Sequence, residues 1–275
     1  MSAASLLVFC LGLTLAFGNP TGSPCSDLSG TWSNQLGSNM TIKRVADSSK
    51  ITGRYHTAVE SSRGASTISS NITGIVHTVE GGSLIAFNVL WNNGKSITAW
   101  VGQCIVCQGV EKIYTTWALR SLKERRKNWM STLINEDTFS RVASTSELTP
   151  ANGEGTAVTD SSILGNWHAE TGDSLSITNA FEGKIMKGLH KAPTAVDGAP
   201  AFGQFDGNQT YTALGFASAH GNRITGWAGH IYNPQDNKPL MQTSWLSYSF
   251  SNLCEDPRKN VNYGMHYYKK SVAEE

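Results

Sequence analysis

Apolar and polar residues alternate along most of this chain in short runs, and each run ends in residues that favour turns. In the first half the runs fall at residues 30–36, 39–46, 50–58, 68–77, 84–90, 96–105, 112–120 and 132–142, punctuated by Asp47-Ser48-Ser49, Glu80-Gly81-Gly82 and Asn92-Asn93-Gly94-Lys95. Period-two alternation bounded by Asn, Gly and Ser predicts β-strands, and almost no stretch carries helical periodicity. About eight strands joined by short turns predict an antiparallel up-and-down barrel, a size that leaves room inside for one small ligand.

The first run brings in candidate chemistry. On a strand starting at Gly30, the residues Trp32, Asn34 and Leu36 share one face, and the corner at 37–39 turns Ser38 back toward Asn34. An amide and a hydroxyl converging at a barrel mouth would grip a carbonyl or oxyanion while aromatic residues enclose the ligand's apolar body.

The pattern then repeats. A polar, Ser-, Thr- and Gly-rich stretch reads as a flexible linker over 143–162, after which Ile163-Leu164-Gly165-Asn166-Trp167 echoes Gly30-Thr31-Trp32. Phe216, Ile224-Thr225-Gly226-Trp227 and Thr243-Ser244-Trp245 echo Phe87, Ile97-Thr98-Ala99-Trp100 and Thr115-Thr116-Trp117. Self-similarity at so long a period indicates a duplicated domain, so the expected architecture is all-β, two tandem eight-stranded barrels over 25–142 and 163–271.

Composition sharpens the class. The 275 residues carry a formal net charge of +1, and only 16% are Asp, Glu, Lys or Arg, which gives no electrostatic case for nucleic acid or an anionic membrane surface as partner. The basic run Lys123-Glu124-Arg125-Arg126-Lys127 has no interleaved aromatics and reads as a solvated hairpin. Residues 1–18 hold an apolar run ending in small residues, read as a cleaved signal peptide, and no later stretch is apolar enough to span a bilayer. The expected location is therefore extracellular, with Asn39, Asn71 and Asn208 in glycosylation acceptor sequences.

In an oxidising compartment Cys25, Cys104, Cys107 and Cys254 allow three pairings. A bridge from Cys25 to Cys104 is the preferred one, with Cys107 and Cys254 either free or joined across the domains. The two-residue spacing of Cys104 and Cys107 also suits zinc or redox chemistry, but further metal ligands or a helix start are wanting, and no metal is expected.

From Cys25 to about Val142 the sequence resembles the avidin and streptavidin family of biotin-binding proteins. The resemblance rests on Gly30-Thr31-Trp32-Ser33-Asn34 with Leu36-Gly37-Ser38-Asn39-Met40-Thr41-Ile42, on Gly53-Arg54-Tyr55-His56-Thr57-Ala58-Val59, on residues 87–91 and 96–104, on Thr116-Trp117-Ala118-Leu119-Arg120, and on Trp129-Met130-Ser131-Thr132-Leu133 leading to Asp137-Thr138-Phe139. It implies a biotin-binding protein with no enzymatic activity and no cofactor. Asn34, Ser38 and Tyr55 would donate to the urea carbonyl of biotin, and Thr57 and Asp137 would accept from its ring N–H groups. Thr98 would approach the ring sulfur and Ser96 the tail carboxylate, while Trp91, Trp100, Trp117, Val59 and Leu119 would pack the apolar body. Trp129 would cap the ligand of a neighbouring subunit, which implies a homo-oligomer, a dimer of tandem chains or higher. Gly94 stands where avidin places a tail-binding serine, and the 59–65 loop with Glu60 and Arg63 would be a lid.

The second domain departs from the family at these places. The expected counterparts of Asn34, Ser38, Tyr55, Thr57, Trp91 and Asp137 are Ala169, Asp173, Ile185, Lys187, His220 and His266. A carboxylate at Asp173 would repel the urea oxygen, so this barrel should not bind biotin in the family's mode. Its tryptophans Trp167, Trp227 and Trp245 fit a scaffold or oligomerisation partner. Asp173, Lys187, His220 and His266 lining a different, charged site is the other reading, and catalysis lacks a nucleophile in a recognisable context. For the whole chain, the alternative to sequestering biotin is an extracellular matrix or interaction protein that uses the barrels as assembly modules.

Overall fold

A computed structural model describes residues 25–45, 48–59, 68–142, 156–157, 162–208, 210–232 and 239–271. The leader at 1–18, the loop carrying Glu60 and Arg63, and most of the 143–162 linker lie outside the described residues. In the first half, β1 (Gly30–Asn34), β2 (Asn39–Arg44), β3 (Lys50–His56), β4 (Ser70–Val79), β5 (Gly82–Trp91), β6 (Ser96–Cys107), β7 (Val110–Ser121) and β8 (Thr132–Val142) follow one another as antiparallel neighbours. Pairing of β1 with β8, from Thr31 opposite Val142 to Asn34 opposite Phe139, closes the barrel.

The second half repeats this order with β9 (Gly165–Ala169), β10 (Ser174–Ala180), β11 (Ile185–Lys191), β12 (Ala199–Gly207), β13 (Tyr211–His220), β14 (Arg223–Tyr232), β15 (Leu240–Ser249) and β16 (Val261–Lys270), closed by β16 against β9. The duplication extends to side chains. Trp32 donates its indole N–H to the Leu28 carbonyl at 2.9 Å, as Trp167 does to Ile163. Phe87 stacks on Trp100 with centroids 4.8 Å apart, as Phe216 does on Trp227 at 4.6 Å. Trp32 and Trp167 thus keep their one donor satisfied inside their barrels.

Strand β5 explains how the barrels sit together. Its residues 83–89 are buried without interruption: Ile85, Phe87 and Val89 enter the first core, whereas Leu84 and Ala86 join Ala217, Ile224, Leu246 and Tyr248 of the second barrel. An antiparallel strand apolar on both faces has to be covered on both, and here the second barrel supplies the cover. Two amide side chains at this seam are paired across it. Asn88 Nδ2 donates to the Trp227 carbonyl at 2.9 Å, and Gln204 Nε2 donates to the Asn88 carbonyl at 2.7 Å.

Arg120 is fully buried at the seam, giving Nη2 to Asn128 Oδ1 at 2.9 Å and to Gln242 Oε1 at 3.1 Å. Burial presses its pKa down, and uncharged acceptors from both barrels surround the guanidinium. Two disulfides complete the frame: Cys25–Cys104 ties the chain start to β6, and Cys107–Cys254 joins the two barrels covalently. The second bridge settles the alternative that the sequence leaves open.

Candidate functional site

The first barrel opens into a cavity of about 310 Å³. Strand alternation sends Asn34, Tyr55, Trp100 and Asp137 inward to its floor, and the β1–β2 turn adds Ser38. Of the residues assigned to a ligand from sequence, Asn34, Ser38, Tyr55, Thr57, Val59, Trp91, Ser96, Thr98, Trp100, Trp117, Leu119 and Asp137 all line this space. Trp129 does not. It follows β7 in a short 3-10 turn (Arg125–Met130) with 82% of its surface exposed, outside the cavity of its own chain. Leu36, Asn92 and Leu133 complete the wall, although no chemical argument from sequence singled them out.

The polar floor is oriented in advance. Asn34 Oδ1 accepts the backbone N–H groups of Leu36 at 3.0 Å and Ser38 at 2.8 Å, so its amide cannot flip, and Nδ2 donates to Asp137 Oδ1 at 3.0 Å. Ser38 Oγ accepts the Ala58 N–H at 3.0 Å, and the Tyr55 hydroxyl lines the same cavity. The Thr57 hydroxyl donates to the Val59 carbonyl, so its proton points away and leaves oxygen lone-pair density for a ligand donor. Trp91 Nε1 donates to Thr98 Oγ1 at 2.8 Å, which fixes that indole as a side wall.

Asp137 is the chemical centre of the floor. Trp100 Nε1 donates to its Oδ2 at 3.0 Å, and Asn34 Nδ2 donates to its Oδ1 at 3.0 Å. A carboxylate offers about four acceptor sites, so these two protein donors leave capacity for a ligand N–H. Burial pushes the Asp137 carboxyl above its usual range against the pull of those donors. Burial, helped by the negative charge of Asp137, likewise raises the Tyr55 phenol, which stays a neutral donor. Donors at Asn34, Ser38 and Tyr55 and acceptors at Thr57 and Asp137, lining one cavity, suit a small polar group that carries both a carbonyl and N–H groups. Tyr55 packs edge-on against Trp91 at 5.7 Å and beside Trp100 at 5.1 Å, so the same pocket offers an aromatic enclosure.

Gly94 has a reason in the second barrel. It takes φ +79° in the β5–β6 turn, and a Cβ there would lie 2.8 Å from the Asp206 carbonyl oxygen. A side chain at this point would push the barrels apart, which accounts for glycine standing where a tail-binding serine was expected.

The second barrel differs inside, and one alignment has to be corrected. Trp32 lies opposite Met40, which lies opposite Tyr55; Trp167 lies opposite Leu175, which lies opposite His190. The counterpart of Tyr55 is therefore His190 and that of Thr57 is Ala192, not Ile185 and Lys187. The spacing from the buried tryptophan carries this register, since 55 − 32 and 190 − 167 both equal 23. His266 lies opposite Thr243 as Asp137 lies opposite Thr115, and His220 ends β13 as Trp91 ends β5, so these two pairings stand.

These residues form a linear chain across the barrel. His220 Nε2 lies 3.4 Å from His190 Nδ1, His190 Nε2 is 3.3 Å from Asp173 Oδ1, His266 Nε2 is 3.4 Å from Asp173 Oδ2, and His266 Nδ1 is 3.1 Å from the Tyr268 hydroxyl. The His190 ring sits 4.4 Å from that of Trp227, and His266 5.5 Å from Trp245. The imidazoles thus stand beside the tryptophans at the places that Tyr55 and Asp137 hold in the first barrel. Burial pushes the Asp173 carboxyl up, but the nearby His190 and His266 rings and a hydrogen bond from the Thr171 hydroxyl outweigh it and hold the carboxyl below its usual range.

The family described as the Avidin family matches the chain twice, over residues 23–142 and 157–271. Avidin-related protein 4/5 of Gallus gallus is 35% identical over 144 residues, 52% of this chain and 95% of that protein. Avidin of Gallus gallus is 33% identical over 146 residues, again 52% of this chain and 95% of the other. The crystal structure of Xenavidin aligns at 35% identity with a TM-score of 0.41, covering 44% of this chain and 100% of that one.

Proposed function

This chain belongs to the avidin family, whose ligand is biotin, and from that premise we propose that it is a secreted, non-enzymatic protein that sequesters biotin in its first barrel. The observation that carries the reading is the floor built by Asn34, Ser38, Tyr55, Thr57 and Asp137, which brings donors and acceptors together in a cavity walled by Trp91, Trp100 and Trp117. A cyclic urea loses water on entry, and each of its three polar atoms meets a partner of the opposite kind. Two disulfides support export to an oxidising compartment.

The second barrel acts as scaffold and interface partner. Its counterpart of the urea-facing serine is Asp173, an acceptor already engaged by its own neighbours, and Ala169 and Ala192 offer no polar group. A chain-to-chain assembly would give exposed Trp129, with Met130 and Leu133 beside it, a surface to cover. The same apolar face favours the second reading, an extracellular interaction protein that uses its barrels as assembly modules.

A competition assay separates the two. A fluorescent biotin conjugate is expected to bind the purified protein and to be displaced by free biotin. A conjugate that does not bind, or that excess biotin leaves in place, rules out the sequestering role.

A further inference from the structure

The segment between β15 and β16 belongs to the second barrel by sequence but lies against the first. Gln103 of β6 donates Nε2 to the carbonyls of Ser251 at 2.7 Å and Pro257 at 3.2 Å, and its Oε1 accepts the Ser251 N–H at 2.9 Å. Cys254 in the same segment is bonded to Cys107 at the end of β6. Held at these points, the segment delivers Arg258 to the outer face of β7 and β8. The guanidinium lies 5.3 Å over the Tyr114 ring. Its Nε donates to the Thr115 carbonyl at 3.2 Å, and its Nη2 to the Asp137 carbonyl at 2.9 Å and to Thr138 Oγ1 at 2.6 Å.

Thr115 and Asp137 are directly opposite one another in the β7–β8 ladder, and Asp137 carries the central carboxylate of the cavity floor. On its other side the ladder has already ended, because the pairing of β1 with β8 stops at Asn34 opposite Phe139. Beyond that point the Gln35 side chain brackets Asp137, accepting the Thr138 N–H at 2.9 Å and donating to the Glu136 carbonyl at 3.3 Å, and the Thr115 hydroxyl donates to the Asp137 carbonyl at 3.1 Å. Among the described residues β7 is the strand paired with β8 at Asp137, and one cation clamps that pair from outside. We propose that Arg258 is a positioning residue for ligand binding in the first barrel, through which the second barrel fixes the backbone at Asp137 and aims its carboxylate into the cavity.

This inference rests on the biotin reading of the cavity and adds a task for the second barrel that its own interior does not reveal. A displacement of a few tenths of an ångström at Asp137 is enough to spoil a charge-assisted hydrogen bond to a ligand N–H. The charged and titratable groups around the carboxylate are few. Tyr55 faces it from β3, Glu136 precedes it with Oε2 3.5 Å from Arg258 Nε, and Asp256 and Tyr248 lie near the guanidinium. Arg258 is the cation whose charge opposes the effect of burial on Asp137.

The test uses the full chain with Cys107–Cys254 intact, carrying Arg258→Gln or Arg258→Lys. Arg258→Gln is expected to speed biotin dissociation about tenfold and to raise the pH at which the Asp137 carboxyl titrates in ligand-free protein, followed by carbon NMR. Arg258→Lys keeps the charge without the forked contacts, and should restore the titration while leaving dissociation fast. Thermal unfolding of each variant checks that it is folded. Unchanged dissociation together with an unchanged Asp137 titration would overturn the inference. Failure of the wild-type chain to bind biotin would instead overturn the functional reading, and the titration would then decide the role of Arg258 alone.

Discussion

Asp137→Ala is expected to weaken biotin binding by about a hundredfold or more. The substitution removes a charged acceptor from a ring N–H of the ligand, and it also strands the donors that the carboxylate now satisfies, from Asn34 and Trp100. A buried hydrogen bond to a charged group contributes about 1.5–3 kcal/mol, and each donor left unpaired in a dry site adds a penalty of its own. Three kcal/mol corresponds to roughly 150-fold in affinity. Asp137→Asn keeps the volume and one carbonyl acceptor, so its loss should be smaller, about tenfold. Titration calorimetry on both variants measures the difference. Equal affinity in wild type and Asp137→Ala would mean that the carboxylate faces the ligand without binding it.

Acid is expected to loosen the seam between the barrels, with the loss beginning near pH 6.5. His230 is fully buried there, with Nε2 3.2 Å from the Gly94 carbonyl, and Arg120 lies close enough to disfavour a second positive charge. Burial first, then Arg120, depress its pKa to about 4, against an ordinary value of 6.5. Between those two values the unfolded chain binds the proton and the folded chain does not, so stability falls as pH drops from about 6.5 to about 4 and is level above. The span of about 2.5 pKa units corresponds to roughly 3 kcal/mol.

His220 and His266, both depressed chiefly by burial, act in the same direction. Asp173, also held low, adds to the loss further into acid. Asp137 acts oppositely, since a raised carboxyl is relieved as pH falls toward 3.8. Urea midpoints measured across this range should slope downward in the wild type. In His230→Gln, which keeps a donor for Gly94 and removes the titration, the slope should flatten. An equal slope in the variant would place the acid-sensitive group elsewhere.

The barrels were legible in sequence because each strand carries its own period and each turn its own Gly, Asn or Ser. The floor of the first cavity was legible for a different reason. Asn34, Ser38, Tyr55, Thr57 and Asp137 act through side chains whose order and spacing match the family, so residue identity alone marks them. The interior of the second barrel was read less well, because Ile185 and Lys187 were matched across a stretch without a fixed point. Counting from Trp167, whose indole is anchored to Ile163 as Trp32 is to Leu28, finds His190 directly.

What was hidden depends on the seam. Gly94 reads as a lost tail contact until the Asp206 carbonyl appears 2.8 Å from where its Cβ would stand. The pairing of Cys107 with Cys254 needs the two barrels placed side by side. Arg258 bonds two backbone carbonyls, and backbone acceptors leave no trace in residue identity.

The central claim is one working site in the first barrel and, in the second, an inward polar set whose members are engaged with one another. Isothermal titration of the purified full chain with biotin tests it most directly, because it reports sites per chain as well as affinity. The account predicts a stoichiometry near one, lost in Asn34→Ala combined with Asp137→Ala. A value near two would contradict it, since biotin would then have displaced the His190–Asp173–His266 chain from the second barrel, and an absence of binding would remove the sequestering function altogether.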